Sequence, residues 1–333
     1  MNIRLFDWRD LPVLIRYRRH GLFFDNALVL TRGPVLVPAV AMMSYFASAT
    51  GIFTYLCTGH NHTGGPLMGQ VAHNPGSAVG RLSFLAPETA LESDGLPALL
   101  EYMVTKLGKR GAMHMLAEVD ERSEAFEMLR HSGFATYVRQ RIWRLRGGSP
   151  DPVKERAWRP GRDRDILAVR SLHNVLVPGL VQQVELPPGN HLHGLVYYLD
   201  GELLAYAELH YGPRGIFIQP YIHPDAELVG SMLVELLRDL PGRRKRPVYM
   251  SIRSYQSWIE HSLEELGADA SPNQAVLVKH LAIAKRVSQS FALPALESGH
   301  QEMTAPFIKS ESKFGRGLQT THQEAEIFVS KKN

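Results

Sequence analysis

Apolar residues that first alternate and then recur at helical spacing predict three strands followed by a helix within residues 195–240. The first two strands flank Asp200-Gly201, a pair that supplies the positive φ angles of a tight hairpin turn. The third strand is rich in β-branched and aromatic residues and ends at His223-Pro224-Asp225. These elements are strands at residues 195–199, 202–210 and 216–222 and a helix at residues 231–240.

The same order of elements is predicted earlier in the chain. In the first half it comprises strands at 52–57, 67–72 and 78–85, a helix at 96–107, a strand at 113–119, a helix at 123–131 and a strand at 135–145. In the second half a helix at 166–175 comes first, and the series ends with a strand at 248–252, a helix at 256–266 and a strand at 275–281. In each half a proline ends the third strand and a glycine closes the last helix, at nearly the same separation. The chain therefore contains an internal repeat of a whole domain.

This repeat predicts an α/β fold made of two tandem units, each with a mixed sheet. The clearest boundary is the turn-rich run Gly147-Gly148-Ser149-Pro150. Apolar residues become sparse beyond Arg286, which predicts a disordered tail. The expected organisation is a first unit at residues 1–147, a linker at 148–157, a second unit at 158–284 and a tail at 285–333.

A stretch without any charged side chain extends from Gly33 to Gly80. Its most apolar part, residues 35–57, raises the alternative of a membrane span. Pro38 and several Ser, Thr and Gly residues favour a helix at 39–48 followed by the strand at 52–57 instead. We therefore expect no membrane partner.

Composition places the chain among ordinary globular proteins. It has 333 residues, of which 44% are hydrophobic and 21% charged, and a net charge of +4. The basic run Arg243-Arg244-Lys245-Arg246 has no interleaved aromatic residues, so we expect a solvated turn and no nucleic-acid partner. Because Cys57 is the single cysteine, we expect no internal disulfide. Because charged side chains interrupt the first ten residues, we expect no secretory leader and a cytoplasmic protein.

The strand meander that passes into a helix through His223-Pro224-Asp225 resembles the acetyl-coenzyme A core of the GNAT superfamily of N-acetyltransferases. Residues 118–134, with Ala125 and the closing Gly133-Phe134, look like the fourth helix of that family. The resemblance covers both units and implies an acyl-CoA-dependent N-acyltransferase that transfers an acetyl group to an amine acceptor. In the family, backbone N–H groups of the loop and the helix N-terminus hold the pyrophosphate of the coenzyme.

The resemblance implies that acetyl-CoA binds in the second unit, where the third strand ends and the helix begins. The residues implied are Tyr221, Ile222, His223, Leu228, Val229, Gly230 and Ser231. Compared with the family pattern, this loop is shorter, and Glu227 replaces a cation. The corresponding loop of the first unit carries the three carboxylates Glu88, Glu92 and Asp94, which would repel the coenzyme.

The catalytic residues are less clearly indicated. The tyrosine that protonates the leaving thiolate in the family is replaced by Leu129 in the first unit and by Leu263 in the second. We predict that Tyr255 takes over this role and that Glu208 is the general base for the amine, with Glu118 as the other candidate base.

Two alternatives remain open from the sequence. One is a non-catalytic tandem GNAT-like protein, in which both folds survive as a binding or assembly module. The other is a metal site at Cys57, His60 and His62, whose spacing is suitable for a metal but which has no fourth ligand nearby, so no metal is expected.

Overall fold

A computed structural model of the protein describes residues 1–17, 20–33, 51–59, 65–145, 157–243 and 246–281. Residues Met1–Ala284 form one compact unit. The expected helix at 39–48, the linker at 148–157 except for residue 157, and the tail at 285–333 lie outside the described residues.

The described residues form fourteen strands and eight α-helices. The strands are β1 Asn2–Leu5, β2 Leu22–Phe23, β3 Ile52–Thr58, β4 Leu67–Ala72, β5 Val79–Ala86, β6 His114–Asp120, β7 Ala135–Leu145, β8 Trp158–Pro160, β9 Gly194–Leu199, β10 Glu202–Tyr211, β11 Ile216–Ile222, β12 Val248–Arg253, β13 Asp269–Ala270 and β14 Gln274–His280. The helices are α1 Leu11–Tyr17, α2 Asn26–Arg32, α3 Leu96–Gly108, α4 Glu124–His131, α5 Ile166–Leu176, α6 Gly179–Gln182, α7 Val229–Asp239 and α8 Ile259–Glu265. The predicted meander and its hairpin turn are confirmed, since β9 and β10 pair and Asp200 and Gly201 both have positive φ.

All fourteen strands belong to one mixed sheet, as the predicted α/β class requires. Its order is β1-β3-β4-β5-β6-β14-β7-β12-β11-β10-β9-β8, with β2 paired to β5 and β13 paired to β7. The pairs β5–β6 and β11–β12 are parallel, and the remaining pairs among the described residues are antiparallel. Because β5 and β6 correspond to β11 and β12 in the repeat, the two halves have the same internal topology.

The two halves exchange their last strands. β14, the end of the second half, lies between β6 and β7 of the first half, and β7 pairs in turn with β12 of the second half. The core that α3 and α4 cover in the first half therefore contains Ala275 and Leu277, both fully buried. The core of the second half contains Trp143 and Leu145 from β7. The unit that repeats in the sequence is therefore not a separate folding unit, because each half completes the core of the other.

A second sign of the repeat is an arginine–aspartate pair at the first strand of each half. The guanidinium of Arg4 donates to both carboxylate oxygens of Asp10, at 2.6 and 2.7 Å. The guanidinium of Arg159 does the same to Asp165, at 2.7 and 2.8 Å. Each aspartate also accepts a hydrogen bond from the backbone N–H three residues earlier, at 2.9 Å. The shared spacing Arg-x-x-x-x-x-Asp could have been found in the sequence.

Replacing Asp165 by asparagine is expected to destabilise the protein by about 2 kcal/mol at pH 7, because a charge-assisted bidentate pair is lost. The Arg159 guanidinium holds the pKa of Asp165 well below its usual range. A depressed folded-state pKa stabilises the native state above the unfolded pKa of about 3.9, and this stabilisation is lost as the pH falls towards the folded value. Urea unfolding of both proteins should therefore show a difference that narrows between about pH 4 and pH 2. Asp163→Asn is the control, because the side chain of Asp163 in the same turn is 85% exposed; an equal loss there would contradict the explanation.

Candidate functional site

In each half, two parallel strands pair briefly and then diverge, which leaves a gap beside one strand edge. β5 pairs with β6 from Val79 to Arg81, and β11 pairs with β12 from Ile216 to Ile218. Beyond these residues the edges of β5 and β11 lose their parallel partner, although their backbone N–H and C=O groups still need hydrogen bonds. An extended ligand with amide groups could pair with such an edge as an added strand. We call these two places the first and second strand gaps.

The second strand gap is closed by one buried side chain, that of Gln256. Its Oε1 accepts a hydrogen bond from the backbone N–H of Ile222 at 3.1 Å, and its Nε2 donates to the carbonyl of Pro220 at 3.0 Å. The side chain thus reproduces the two hydrogen bonds that a neighbouring strand would make with β11. Gln256 is fully buried.

The first strand gap is closed by the backbone of β2. Leu22 and Phe23 pair with Leu85 and Phe84 of β5. The next residue, Phe24, donates its N–H to the carbonyl of Ser83 at 3.1 Å and accepts from the N–H of Glu118 at 2.9 Å, which ties β5 to β6.

The close approach of β2 requires a glycine just before it. A Cβ atom at Gly21 would lie 2.0 Å from the ring of Phe84. Sequence reasoning missed both closures. A two-residue strand is too short to show periodicity, although the glycine followed by three apolar residues at 21–24 is a possible signal. A single glutamine gives no signal at all.

The residues implied for coenzyme binding lie at the end of β11, in the turn after it and at the start of α7. Leu228 has a left-handed backbone, with φ of 57°, and a 78% exposed side chain directly before α7. Val229, Gly230 and Ser231 form the first turn of α7, and a Cβ at Gly230 would meet open space. In the turn before them, the ring Nδ1 of His223 accepts a hydrogen bond from the N–H of Asp225 at 3.2 Å.

Tyr221 and Ile222 face opposite sides of β11. Ile222 packs into the core beneath α7, whereas Tyr221 lines a cavity on the other face of the sheet. Neighbouring residues of a strand point to opposite faces, so these two side chains cannot contact one ligand together.

That cavity has a volume of about 800 Å³ and is lined by residues of both halves. The first half contributes α2, the ends of β3, β4 and β5, the turn between β4 and β5, and two side chains of β6. The second half contributes β10, β11, the end of β12 and the segment after α6. The cavity's acidic, basic and histidine lining residues are Asp25, Arg32, His73, Arg81, Glu118, Glu185, His193, Glu208, His210 and Arg253. Of the two catalytic candidates, Glu208 lines this cavity, whereas Tyr255 lies in the turn after β12.

In the first half, two acidic side chains that line the cavity accept hydrogen bonds from backbone N–H groups of α2. Asp25 accepts from the N–H of Leu28 at 3.0 Å and caps the helix. Glu118 accepts from the backbone N–H of Asn26 at 2.9 Å and forms a 3.3 Å ion pair with Arg81. Burial raises the pKa of Asp25, with a further contribution from Glu118. Glu118 is thus engaged in structural contacts, which weakens its candidacy as a general base.

In the second half, Arg253 and Glu185 form a buried ion pair. The guanidinium of Arg253 contacts Glu185 at 2.6 Å, and the side chains of the pair are only 5% and 12% exposed. Glu185 also accepts from the hydroxyl of Tyr137 at 2.8 Å, and Arg253 donates to the side chain of Gln140. Burial, reinforced by nearby Glu185, raises the pKa of Tyr255. A phenol in this environment holds its proton more tightly, which disfavours it as an acid.

Neither a metal site nor a membrane span is found among the described residues. No group of three or more His, Cys, Asp and Glu side chains in this part of the chain could hold a metal ion. Cys57 is a buried free thiol there, while His60 and His62 lie outside it. The helices of the described ranges are too short or too polar to cross a membrane.

Known structures with a similar fold include N-acetyltransferases. A GCN5-related N-acetyltransferase from Sphaerobacter thermophilus is 11% identical with a TM-score of 0.51, covering 84% of this chain and 95% of that chain. A tandem GNAT protein from the clavulanic acid biosynthesis pathway is 13% identical with a TM-score of 0.48, covering 84% of this chain and 98% of that chain. No protein-family model and no curated protein matches the sequence. The GNAT fold predicted from the sequence is confirmed.

Proposed function

We propose that this chain, which has the GNAT fold, is a non-catalytic protein that binds a small molecule in the cavity between its two halves. The observation that carries the proposal is that both strand gaps are closed by the protein's own hydrogen-bonding groups. Each half has lost the free strand edge that the amides of a coenzyme A arm would need, while the cavity of about 800 Å³ remains open.

Opening the first gap would be costly. The segment that closes it ends in Phe24, which is 2% exposed and part of the core of the first half. Exposing one such side chain costs about 1.5–3 kcal/mol, in addition to the hydrogen bonds of β2. The second gap is closed by Gln256 alone, which is a weaker obstacle.

The negative charges in the two loops and the loss of the tyrosine proton donor also support a non-catalytic protein. Glu88 and Glu92 lie in the loop after β5, and Glu227 lies in the loop after β11, where a pyrophosphate would need positive charge. Leu129 and Leu263, which replace the tyrosine of the family, are fully buried in their cores. These features favour binding without acyl transfer.

The second candidate is acyl transfer from acetyl-CoA bound in the second half, with an amine acceptor in the cavity and Glu208 as base. It is favoured by the start of α7, where Leu228 provides no side-chain cap for the N–H groups of the first turn. In this case Gln256 would have to leave the strand gap whenever the coenzyme binds.

Titration calorimetry with acetyl-CoA at low salt distinguishes the two candidates. We expect no saturable heat for the wild type, and none for Glu227→Arg, because Gln256 still closes the gap. Under the second candidate, Glu227→Arg should tighten binding by about 1–3 kcal/mol, since a charge-assisted contact replaces repulsion.

Glu92→Arg is the matched control, because two further carboxylates, Glu88 and Asp94, remain in that loop. Micromolar binding by the wild type, together with release of free coenzyme A in the presence of an amine, would refute the non-catalytic proposal.

A further inference from the structure

We propose that the ligand of the cavity is an organic ammonium ion that also carries a hydrogen-bond acceptor, held at Glu208 and Gln219. This inference rests on the proposed function, because it assigns a chemical class to the molecule that the cavity binds. It differs from acyl transfer, since a fully alkylated ammonium group cannot be acylated.

Two paired strands form the cavity wall that contains Glu208. β10 and β11 pair antiparallel, with Glu208 opposite Gln219, Tyr206 opposite Tyr221 and His210 opposite Phe217. Alternate residues of a strand share one face, so Phe217, Gln219 and Tyr221 stand in a row on the cavity side. The carboxylate of Glu208 therefore lies across from the polar position between two aromatic ones.

Glu208 is the carboxylate of this cavity that the protein leaves without a strong partner. Its closest ionic contact among the described residues is the ring Nε2 of His210, at 3.9 Å, and its side chain is 32% exposed. By contrast, Glu118 and Glu185 each pair with an arginine.

The pairing of charges around the cavity also favours a cation at Glu208. Four carboxylates line the cavity, those of Asp25, Glu118, Glu185 and Glu208, together with the guanidinium groups of Arg32, Arg81 and Arg253. Arg81 pairs with Glu118 and Arg253 pairs with Glu185, while Asp25 caps α2. Glu208 is therefore the carboxylate of the cavity whose charge a bound cation would balance.

The surroundings of Glu208 favour an alkylated cation over a small inorganic one. Phe217 and Tyr221 flank the site, and the faces of aromatic rings attract organic cations. A methylated ammonium group is bulky and weakly hydrated, so it loses little hydration energy on entering such a site. Close packing against the rings adds dispersion energy.

A second observation defines the other end of the ligand. Gln219, which is 7% exposed, lines the cavity, and its Nε2 is buried without a hydrogen-bond partner among the described residues. An unpaired buried donor is unfavourable, so a ligand oxygen that accepts from it gains binding energy. A hydroxyl close to the ammonium group, as in choline, provides such an acceptor.

The test is calorimetry and thermal unfolding of the full chain with four probes: choline, tetramethylammonium, acetate, and 3,3-dimethylbutan-1-ol, the neutral analogue of choline. We expect choline to bind and to raise the melting temperature, and the neutral analogue to bind at least tenfold more weakly. Glu208→Gln should weaken choline binding at least tenfold. Glu202→Gln, at the exposed start of the same strand, should leave it unchanged.

Gln219→Leu is the second variant. It should remove the preference for choline over tetramethylammonium, because the latter has no acceptor. Circular dichroism of each variant establishes that it is folded.

The inference is overturned if choline binds the wild type and Glu208→Gln equally, if the neutral analogue binds as tightly as choline, or if no cation binds. Binding of acetate alone would also overturn it while leaving the proposed cavity function intact. Turnover of acetyl-CoA, in contrast, would refute the proposed function itself.

Discussion

A chain that ends at Pro272 is expected to lose the fold of its first half, although every residue of that half is present. Such a chain lacks β14, which forms seven residue pairs with β6 and five with β7. Removing a central strand leaves two strand edges unpaired and opens the core around Leu277, which is fully buried. The loss should exceed the whole stability of a typical domain, about 5–15 kcal/mol. Circular dichroism and urea unfolding of the truncated chain are the measurements.

The control is a chain that ends at Leu281, which keeps β14. We expect it to unfold cooperatively at a melting temperature close to that of the full chain, in line with the disordered tail that the sequence predicts after residue 284. A native-like transition of the chain that ends at Pro272 would show that the first half does not depend on the exchanged strand.

Replacing Arg253 by methionine is expected to destabilise the protein by about 3–5 kcal/mol, because it leaves the carboxylate of Glu185 buried without a counter-charge. Arg253 is 4% exposed and ties Glu185 to Gln140 beneath the cavity. The free energy of unfolding at pH 7, from urea titration, is the measurement.

Two further variants test the explanation. Arg139→Met removes an ion pair with Glu121 whose arginine side chain is 66% exposed, and it should cost less than about 1 kcal/mol. The double variant Arg253→Met, Glu185→Gln should recover much of the lost stability, because it removes the isolated charge and keeps an acceptor for Tyr137. No recovery in the double variant would show that Arg253 acts through packing rather than through charge.

The sequence predicts local elements well because their signals are local. The strand at 67–72 agrees with β4 at both ends, and the turn at Asp200-Gly201 follows from its residue types. The repeat of elements was visible because apolar periodicity and the glycines that end helices recur in both halves. The residues implied for coenzyme binding stay a prediction, although strand alternation alone places the side chains of Tyr221 and Ile222 on opposite faces of the sheet.

The strand exchange could not be predicted, for a physical reason. Val276 and Leu277 alternate between two faces of the sheet whichever half supplies the neighbouring strands. The burial pattern of β14 is therefore the same in both arrangements, and pairing depends on contacts far apart in sequence. For Glu208, the sequence indicates the residue type, but which carboxylates pair with Arg81 and Arg253 depends on contacts between residues far apart in sequence.

The position of β14 also determines the order of events while the chain is being synthesised. β6 and β7 leave the ribosome well over a hundred residues before β14, and proteins are made at about 5–20 residues per second. The facing edges of these two strands therefore remain unpaired for roughly 6–26 seconds before the strand that joins them is made. Unpaired edges are templates for pairing with other chains. The nascent protein is thus most exposed to wrong association in this interval, whatever the stability of the finished fold.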